Sequence, residues 1–540
     1  MKEQGLLPGF SAPSPPIADS GASPKRPAQA EEALSPTTVP MRPPEEPGKP
    51  RALKNEDDPS LHEEAQPEAR DLVSDADDAP ERQRGEVRGW ELEDDGWPRT
   101  ENMLSGLVDF EPTAQPPAPI TVLGVSHEIL HGDAPLSDRD ISLLRDAHVV
   151  CAGPKILESC LPKISREPLQ AEIIPLKAPV SAVTALLQER RSEGKRVLVL
   201  ADGDPLFFGI GGTLRRQLGP EGLRIVPAVS CLQQACARLG LPWHEVISIS
   251  LHGRDDLAPL NRAVGLGRPV CILTDAATPP NAVARHLLDR GVDWFTASVF
   301  EEMGGDGEKI STLSLSDMTT AVFPPGCTIM LEPSDPPRRP RLGISAEELA
   351  TEGCCMTALP VRAAALALLA IEPHHVVWDI GAGTGAVALE ACALAKEGRV
   401  IAVEKRPARE LAIRENRRRF GAAILDVCLG NAADRMAMLP DPHRVFVGGG
   451  LSGDDGPAIL SHICRRLPEG GKVVAACVLL ETFFFCRTFL EDKGWHVEIM
   501  QLQASKAAPL AGDAHLVASN PVFLVSARKP KKSPEGLADA

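Results

Sequence analysis

Downstream of residue 119, apolar runs of strand length alternate with amphipathic stretches of helix length. Strands separated by helices predict a parallel or mixed sheet with helices packed on its faces. Two amphipathic stretches, Val180–Arg191 and Asn281–Asp289, are predicted helices of this first block, which we place at residues 119–333. Its strand-sized runs are ITVLGV (120–125), HVVCAG (148–153), RVLVLA (196–201), LRIVPAV (223–229), EVISISL (245–251), PVCILT (269–274) and CTIMLEPS (327–334).

A second block, residues 342–528, repeats the alternation after a proline-rich segment, residues 334–341, that we predict to be a linker. The order of its elements predicts a doubly wound, Rossmann-like α/β sandwich, in which ligands lie beyond the carboxyl ends of the strands. Residues 529–540 form a short tail. The predicted strands are 375–380, 399–404, 424–429, 443–448, 471–478 and 521–526, and the predicted helices are 359–370, 385–396, 407–419 and 480–492.

The first 118 residues differ from the rest of the chain in composition. They hold 19 of the 51 prolines, none of the 13 cysteines and −13 of the formal net charge of −17. Because they have little apolar periodicity to offset the entropy of ordering a backbone, we predict a disordered, acidic extension.

The remaining 422 residues carry a net charge of only −4 and show no basic footprint for nucleic acid. Their longest apolar run in a helical context, Ala363 to Ile371, is too short to cross a membrane. The opening MKEQGLLPGF lacks the features of a signal peptide, and the cysteines show neither zinc spacing nor a disulfide pattern. We therefore expect a cytoplasmic protein with reduced thiols, no resident metal and neither nucleic-acid nor membrane partners.

A glycine loop in the second block is the first candidate ligand site. In VVWDIGAGTGA (376–386), a buried strand runs into Gly381, Gly383 and Gly385, where glycine permits tight turns and close approach to a ligand. With Ala386 in the last place, the same motif also fits dinucleotide binding, so the loop alone leaves that alternative open.

The residues around the loop favour S-adenosylmethionine. Asp379, just before the first glycine, can hold an α-ammonium, whereas a carboxylate there would repel a pyrophosphate. Glu404 ends the next strand and is placed for the ribose hydroxyls, and Asn431 with Ala432 ends the third strand and is placed for adenine. Ammonium, ribose and base in succession describe this cofactor.

The second block resembles the decarboxylating methyltransferases of cobalamin biosynthesis that act at C15 and remove the C12 acetate carboxyl. The similarity lies in LGIS (342–345), EGCCMT (352–357), VRA (361–363), WDIGAGTG (378–385), FVGGG (446–450) and ASNPVF (518–523). It implies that Thr357 and the loop residues Gly381, Ala382, Gly383, Thr384 and Gly385 contact the cofactor. The family usually follows this threonine with Lys-Arg-Glu, but here Ala358-Leu-Pro360 stands, so Arg362 is the nearest cationic candidate. The alternative for Arg362 is a solvated charge at a helix start.

The first block carries a different signature, ADGDPLFFGIGG (201–212), followed by VPAVSC (226–231), SLHGR (250–254) and LTD (273–275). In this order the motifs resemble the tetrapyrrole methylases, and RLGLPW (238–243) and FEEMGG (300–305) resemble the members that methylate C5. The resemblance implies a two-subdomain fold with the cofactor between the subdomains, touched by Asp204, Phe207, Ser230 and Cys231. Where the wider family has a GxGPG loop, this chain has GVSHE (124–128).

Together the two resemblances imply a fused enzyme that uses S-adenosylmethionine at two sites. It would methylate a precorrin or cobalt-precorrin at C5 and C15 and decarboxylate the C12 acetate, any cobalt arriving inside the substrate. Arg362, Arg254 and Arg238 are the candidate cations for the substrate's carboxylates, and we expect a homo-oligomer. Two alternatives stay open: a methyltransferase pair acting on another tetrapyrrole or small acid, and a nucleotide-binding regulatory module without turnover.

Overall fold

The computed structural model describes residues 117–164, 169–177, 179–351 and 356–531. The predicted acidic extension lies outside this range except for its last two residues, whose carbonyls accept hydrogen bonds from Arg191. Residues 352–355 of the EGCCMT motif and residues 532–540 of the tail also lie outside it.

The first subdomain is a five-stranded parallel sheet in the order β3-β2-β4-β1-β5. Its central strands are buried on both faces, which is why they appear in the sequence as unbroken apolar runs. The strands are β1 Ile120–Val125, β2 Val149–Ala152, β3 Glu172–Pro175, β4 Val197–Asp202 and β5 Leu223–Val226. The helices are α1 His127–Leu130, α2 Asp138–Asp146, α3 Leu161–Ile164, α4 Val180–Ser192 and α5 Ile210–Leu218.

The second subdomain is a mixed five-stranded sheet in the order β6-β7-β10-β8-β9, in which only β6 and β7 pair in parallel. Its strands are β6 Ile247–Ser250, β7 Val270–Leu273, β8 Phe295–Glu301, β9 Lys309–Ser314 and β10 Thr328–Pro333. Its helices are α6 Cys231–Leu239, α7 Ala258–Gly265, α8 Pro280–Asp289 and α9 Leu315–Met318.

The third sheet has seven strands in the order β13-β12-β11-β14-β15-β19-β16, all parallel except the antiparallel β19. The order reverses between β11 and β14, the switch point where doubly wound sheets bind ligands. The strands are β11 Val376–Ile380, β12 Arg399–Glu404, β13 Leu425–Leu429, β14 Arg444–Val447, β15 Lys472–Cys477, β16 His496–Leu502 and β19 Val522–Arg528. The helices are α10 Leu359–Leu369, α11 Ala386–Leu394, α12 Pro407–Arg419, α13 Ala432–Arg435, α14 Gly456–Arg466 and α15 Leu480–Asp492. A separate hairpin joins β17 Ser505–Leu510 to β18 Asp513–Ala518.

The predicted fold class, two α/β subdomains followed by a doubly wound α/β domain, is confirmed. Every strand-sized run singled out in the sequence forms a strand, and β3, β8, β9 and β16 to β18 are additional. The four predicted helices of the third-sheet domain also form, whereas α13 and α14 were not predicted.

The second subdomain packs directly on the third-sheet domain. Arg290, at the end of α8, donates to the carbonyls of Ala423 and Leu425 and pairs with Asp426 at 2.6 Å. In the opposite direction, Arg417 donates to the Asp289 carbonyl at 2.7 Å. Ala423 itself belongs to the hydrophobic core of the second subdomain, so the contact is apolar as well as polar.

Candidate active sites

A cavity of about 340 Å³ opens at the carboxyl ends of β11 to β14, where the strand order reverses. Nine of the predicted cofactor residues line it: Thr357, Asp379, Gly381, Ala382, Gly383, Thr384, Glu404, Asn431 and Ala432. Gly385 lies behind the lining, at the amino end of α11. The structure therefore brings together predicted residues from three separate strand ends and from the segment before α10.

The glycines of the loop are required by its geometry. Gly381, Gly383 and Gly385 have φ values of +70°, +61° and +75°, in the left-handed region that favours glycine. A Cβ on Gly381 would lie 2.7 Å from the carbonyl oxygen of Gly449, and one on Gly385 would lie 3.0 Å from the Ile413 side chain. The loop therefore presents bare backbone to the cavity.

Asp379 carries an unpaired carboxylate oxygen at the floor of this cavity. Its Oδ2 accepts the Ala388 N–H at 3.0 Å, whereas its buried Oδ1 has no hydrogen-bond partner among the described residues. Burial raises the pKa of Asp379 to about 7, an effect that the Ala388 N–H opposes and the charge of Glu404 reinforces. A buried carboxylate with one free oxygen is suited to receive an ammonium group.

Glu404 is buried and is mostly occupied by backbone donors. Its Oε2 accepts the Gly383 N–H at 2.9 Å, and its Oε1 accepts those of Lys405 and Arg406 at 2.9 and 3.0 Å. Since a carboxylate offers about four acceptor positions, one remains for a ligand. The carboxylate thus has room for one ribose hydroxyl rather than the two expected from the sequence.

The adenine end of the predicted site is formed by Asn431. Its Oδ1 accepts the Ala433 N–H at 3.1 Å and caps α13, and its Nδ2 donates to Asp455 at 2.9 Å. The side chain is therefore fixed in place, and neighbouring Ala432 also lines the cavity. The bare loop, the free Asp379 oxygen and this fixed wall together fit S-adenosylmethionine.

The interpretation of Arg362 as a substrate-facing cation is wrong, as is its alternative as a solvated charge. Arg362 is 0% exposed and pairs with Glu390 at 3.0 Å, also buried. It donates to the carbonyl of Thr357 at 2.8 Å and to the carbonyl of Ile344. Its charge is therefore neutralised inside the domain, where it fixes the segment that carries Thr357 into the cavity.

The cations that do line this cavity are Lys405, Arg406 and Arg409, which sequence reasoning missed. They lie within five residues after Glu404, which ends β12. This position after a strand end could have indicated that they line the cavity. Gly448, Gly449 and Gly450 also line it, although the sequence offered them only as part of a resemblance.

A second cavity, of about 650 Å³, contains residues of both N-terminal subdomains. Of the residues predicted for this site, Asp204, Phe207, Cys231 and Arg254 line it. The Asp204 carboxylate accepts the Leu206 N–H at 2.8 Å and so closes the turn that carries Phe207. Burial raises the pKa of the Cys231 thiol to about 11, which keeps it neutral.

Two further sequence-predicted residues have structural partners instead of facing this cavity. The buried Ser230 is the N-cap of α6, where its hydroxyl accepts the Gln233 N–H at 3.3 Å in a capping box. Arg238 pairs with Glu308 at 2.5 Å, outside the cavity lining. The prediction that Arg238 meets substrate carboxylates is therefore wrong, and Ser230 supports the site through its helix.

The same cavity holds a histidine–aspartate pair that the sequence did not reveal. His127 Nε2 lies 3.0 Å from Asp202 Oδ1, and both residues line the cavity. They are 75 residues apart in the sequence, so only the fold shows that they meet.

One cluster of metal-binding residue types occurs in the described parts of the chain: Glu372, His374 and His375. It lies at the amino end of β11, away from both cavities. His375 Nδ1 already accepts the Glu372 N–H at 2.8 Å, and a metal on Nε2 would then require an anionic imidazole ring. We therefore assign no metal to this cluster.

Comparison with known proteins identifies the family of each part of the chain. The sequence profile of the tetrapyrrole (corrin/porphyrin) methylases matches residues 132–319, and that of the precorrin methyltransferase domain matches residues 348–529. Fold and sites thus define an S-adenosylmethionine-dependent methyltransferase. A precorrin-6Y C(5,15)-methyltransferase [decarboxylating] from a Sinorhizobium species is 32% identical over 362 residues, which are 66% of this chain and 84% of the relative. The chain belongs to the family of decarboxylating precorrin-6Y C(5,15)-methyltransferases.

Two shorter relatives each correspond to part of the chain. A probable cobalt-precorrin-6B C(15)-methyltransferase (decarboxylating) from Pyrobaculum aerophilum is 33% identical over 34% of this chain and 95% of its own length. A cobalt-precorrin-7 C(5)-methyltransferase from Salmonella typhimurium is 34% identical over 26% of this chain and 68% of its own length. Among helices in the described ranges, none has the length and apolar character needed to cross a bilayer.

Proposed function

We propose that this chain methylates a precorrin macrocycle at C5 and at C15 and releases the C12 acetate carboxyl as carbon dioxide, in cobalamin biosynthesis. The activity for which the Sinorhizobium relative is named supports the proposal, since this chain covers 84% of that relative's length. The observation that carries it is the presence of two separate cavities, each lined by residues suited to the same cofactor.

The chain's own residues act by holding and aligning the reactants. When bound, S-adenosylmethionine supplies an electrophilic methyl group on sulfur. In the C-terminal cavity, Asp379 would hold the ammonium and Glu404 one ribose hydroxyl, while the bare loop allows the close approach that an in-line displacement needs. Lys405, Arg406 and Arg409 line that cavity and can pair with carboxylates, and Arg254 can do so in the N-terminal cavity.

The division of labour follows the two shorter relatives. We propose that residues 119–333 form the C5-methylating domain and residues 342–528 the C15-methylating and decarboxylating domain. Segment 334–341 would join them. The grouping of strands into separate sheets on either side of residues 334–341 supports these boundaries.

Titration of the full chain with S-adenosylhomocysteine tests the two-site proposal. Wild type should bind two equivalents, and Asp379→Asn should retain one, because only the C-terminal site loses its ammonium partner. Asp335→Asn, an exposed aspartate of the linker, is the matched control and should bind two. A single equivalent that Asp379→Asn leaves unchanged would contradict both the second site and the role of Asp379.

Product masses test the division of labour. Asp379→Asn with Thr357→Val should give a ring methylated at C5 that keeps its C12 carboxyl. Asp204→Ala with Phe207→Ala should give a decarboxylated ring methylated only at C15. Loss of both methylations in either variant, at unchanged melting temperature, would contradict independent sites. Turnover of cobalt-loaded and metal-free substrate in parallel identifies which form the enzyme takes.

We also propose a cytoplasmic homo-oligomer. Both strands of the β17–β18 hairpin are almost entirely exposed, and Leu510, Leu516 and Val517 present apolar surface there. All ten cysteines whose side chains are described are free thiols, which supports a reducing compartment.

A further inference from the structure

The His127–Asp202 pair has the arrangement of a base and the group that orients it. Asp202 Oδ1 lies 3.0 Å from Nε2 of His127. The histidine side chain is 18% exposed, and the aspartate, at 50%, is open to the cavity that both line. Phe207 and Cys231, which we place at the cofactor, line the same 650 Å³.

The first sheet builds this pair from two neighbouring strand ends. β1 and β4 run parallel, and Gly203 donates to the Val125 carbonyl at 2.8 Å just beyond their last paired residues. A Cβ on Gly124 would lie 2.7 Å from the Gly203 carbonyl oxygen, so only glycine permits this approach. The GVSHE loop, where this chain departs from the wider family, therefore delivers a histidine to the end of β4.

The carboxylate determines which ring nitrogen can accept a proton. With Nε2–H donating to Asp202, the lone pair resides on Nδ1, to which no described group hydrogen-bonds. Burial raises the pKa of Asp202, but the hydrogen bond from His127 and the charges of His127, Lys155 and His131 more than offset this, so its pKa is lowered. Asp202 is therefore ionised at neutral pH and can accept the Nε2–H of His127.

We propose that His127 is the catalytic base of the N-terminal cavity and that Asp202 is its positioning residue. The inference rests on the proposed methylation of C5. Replacing the single hydrogen of a bridging ring carbon by methyl must release that hydrogen as a proton. A base in the cavity must therefore accept this proton.

The step balances as follows. A π electron pair of the ring forms the new carbon–carbon bond to the methyl group, and the pair of the breaking sulfur–carbon bond stays on sulfur. As this bond forms, the C–H electron pair of the same carbon returns to the conjugated ring. In the same step the proton passes to Nδ1 of His127, where the Asp202 carboxylate stabilises the imidazolium.

His127→Gln in the full chain is the primary test, with single-turnover product masses as the measurement. C5 methylation should slow by roughly 100-fold or more, the usual contribution of a general base. Methylation at C15 and carbon dioxide loss should keep their rates and serve as an internal reference. His244→Gln, on an exposed histidine outside the cavity, is the matched control and should behave as wild type.

Substrate deuterated at C5 separates a base from a merely structural residue. If His127 accepts the proton, removal of the C5 hydrogen becomes rate-limiting in His127→Gln, and the isotope effect on C5 methylation should exceed that of wild type. Asp202→Asn, which keeps the histidine, should slow C5 methylation by roughly 10–100-fold and give an intermediate isotope effect.

Other titratable groups lie close to the pair. His131 follows α1 directly, and its ring centroid is 5.5 Å from that of His127. Lys155, after β2, acts electrostatically on Asp202 and His131, and Glu302, after β8, acts on His131. Burial lowers the pKa of His131, and the charges of Lys155 and His127 lower it further, so its own titration lies below the usual range for histidine.

Two results would overturn the inference. One is a C5 rate in His127→Gln within about threefold of wild type, far less than a lost base costs. The other is a slow variant with no increase in the isotope effect. A wild-type chain that fails to methylate C5 would instead contradict the proposed function itself, which keeps the two failures distinguishable.

Discussion

We expect the Asp379 carboxylate to lower the stability of the ligand-free protein and to strengthen cofactor binding. Its pKa is raised from 3.8 to about 7, so between these values the folded protein holds a proton that the unfolded chain has lost. Stability without ligand should therefore fall as pH rises from about 4 to about 7. Asp379→Asn carries no such charge and should melt at a higher temperature than wild type at pH 8, with little difference at pH 4. Melting curves of both chains across this range check the sign.

Cofactor affinity should respond in the opposite direction. The ammonium needs the ionised carboxylate, so wild-type binding of S-adenosylhomocysteine at the C-terminal site should strengthen as pH rises through about 7. Binding by Asp379→Asn should be weak and independent of pH. An Asp379→Asn chain that binds S-adenosylhomocysteine as tightly as wild type at pH 8 would contradict the role of the ionised carboxylate.

Arg362 should matter for stability and for one site only. Arg362→Met leaves the Glu390 carboxylate buried without its partner and should cost about 3–5 kcal/mol in free energy of unfolding. Removing both charges, as Arg362→Met with Glu390→Leu, should recover part of that loss. Because Thr357 loses its anchor, cofactor binding in the C-terminal cavity should weaken while the N-terminal cavity is unaffected. Denaturant titration and calorimetry measure the two effects.

At the scale of residues, the sequence predicted which side chains would lie at strand ends beside the cavity, such as Asp379 and Glu404. It misjudged Arg362 because the partner, Glu390, lies 28 residues away and only the fold brings the two together. Ser230 was recognised as a polar residue at a cofactor segment, but its hydroxyl serves the first turn of α6. The residue type and the motif do not show which neighbouring group a side chain forms a hydrogen bond or ion pair with.

At the scale of elements, the strands that sequence patterns missed are mostly edge strands. β3, β9 and β16 each lie at one end of a sheet, and their residues are largely exposed. An edge strand has less apolar surface to bury, so its run of residues lacks the continuous hydrophobic pattern of β1 or β4. β8 is an interior strand, but Thr296 and Ser298 interrupt its apolar residues.

The β17–β18 hairpin should determine the oligomeric state. Leu516 is 73% exposed, and Leu516→Glu would place a charge on the apolar surface of the hairpin. Subunit association should weaken by at least roughly tenfold, measured by analytical ultracentrifugation. Val322→Glu, at an apolar residue 91% exposed outside the hairpin, is the control and should leave the assembly intact. A monomeric wild type would contradict the proposed oligomer.

At the scale of the whole molecule, Arg290 joins two folding units. Arg290→Met removes three hydrogen bonds, including the pair with Asp426, and leaves two carbonyls without this donor. We expect a loss of about 2–4 kcal/mol, and scanning calorimetry should resolve one wild-type transition into two. Arg285→Met, at an exposed bond within the second subdomain, is the matched control and should keep a single transition. An unchanged single transition in Arg290→Met would show that apolar packing alone couples the domains.

The Arg290 contact also bears on why two catalysts share one polypeptide. A domain held by partly buried hydrogen bonds and by the apolar contact of Ala423 does not swing a bound ring from one site to the other. A ring that has been methylated in one cavity then reaches the other cavity by diffusion. The second methylation can occur on the same enzyme molecule or on another one. Fusion then mainly secures equal copy numbers of the two sites, because each translated chain carries one of each. A ring methylated at one position therefore does not accumulate through a shortage of the other site.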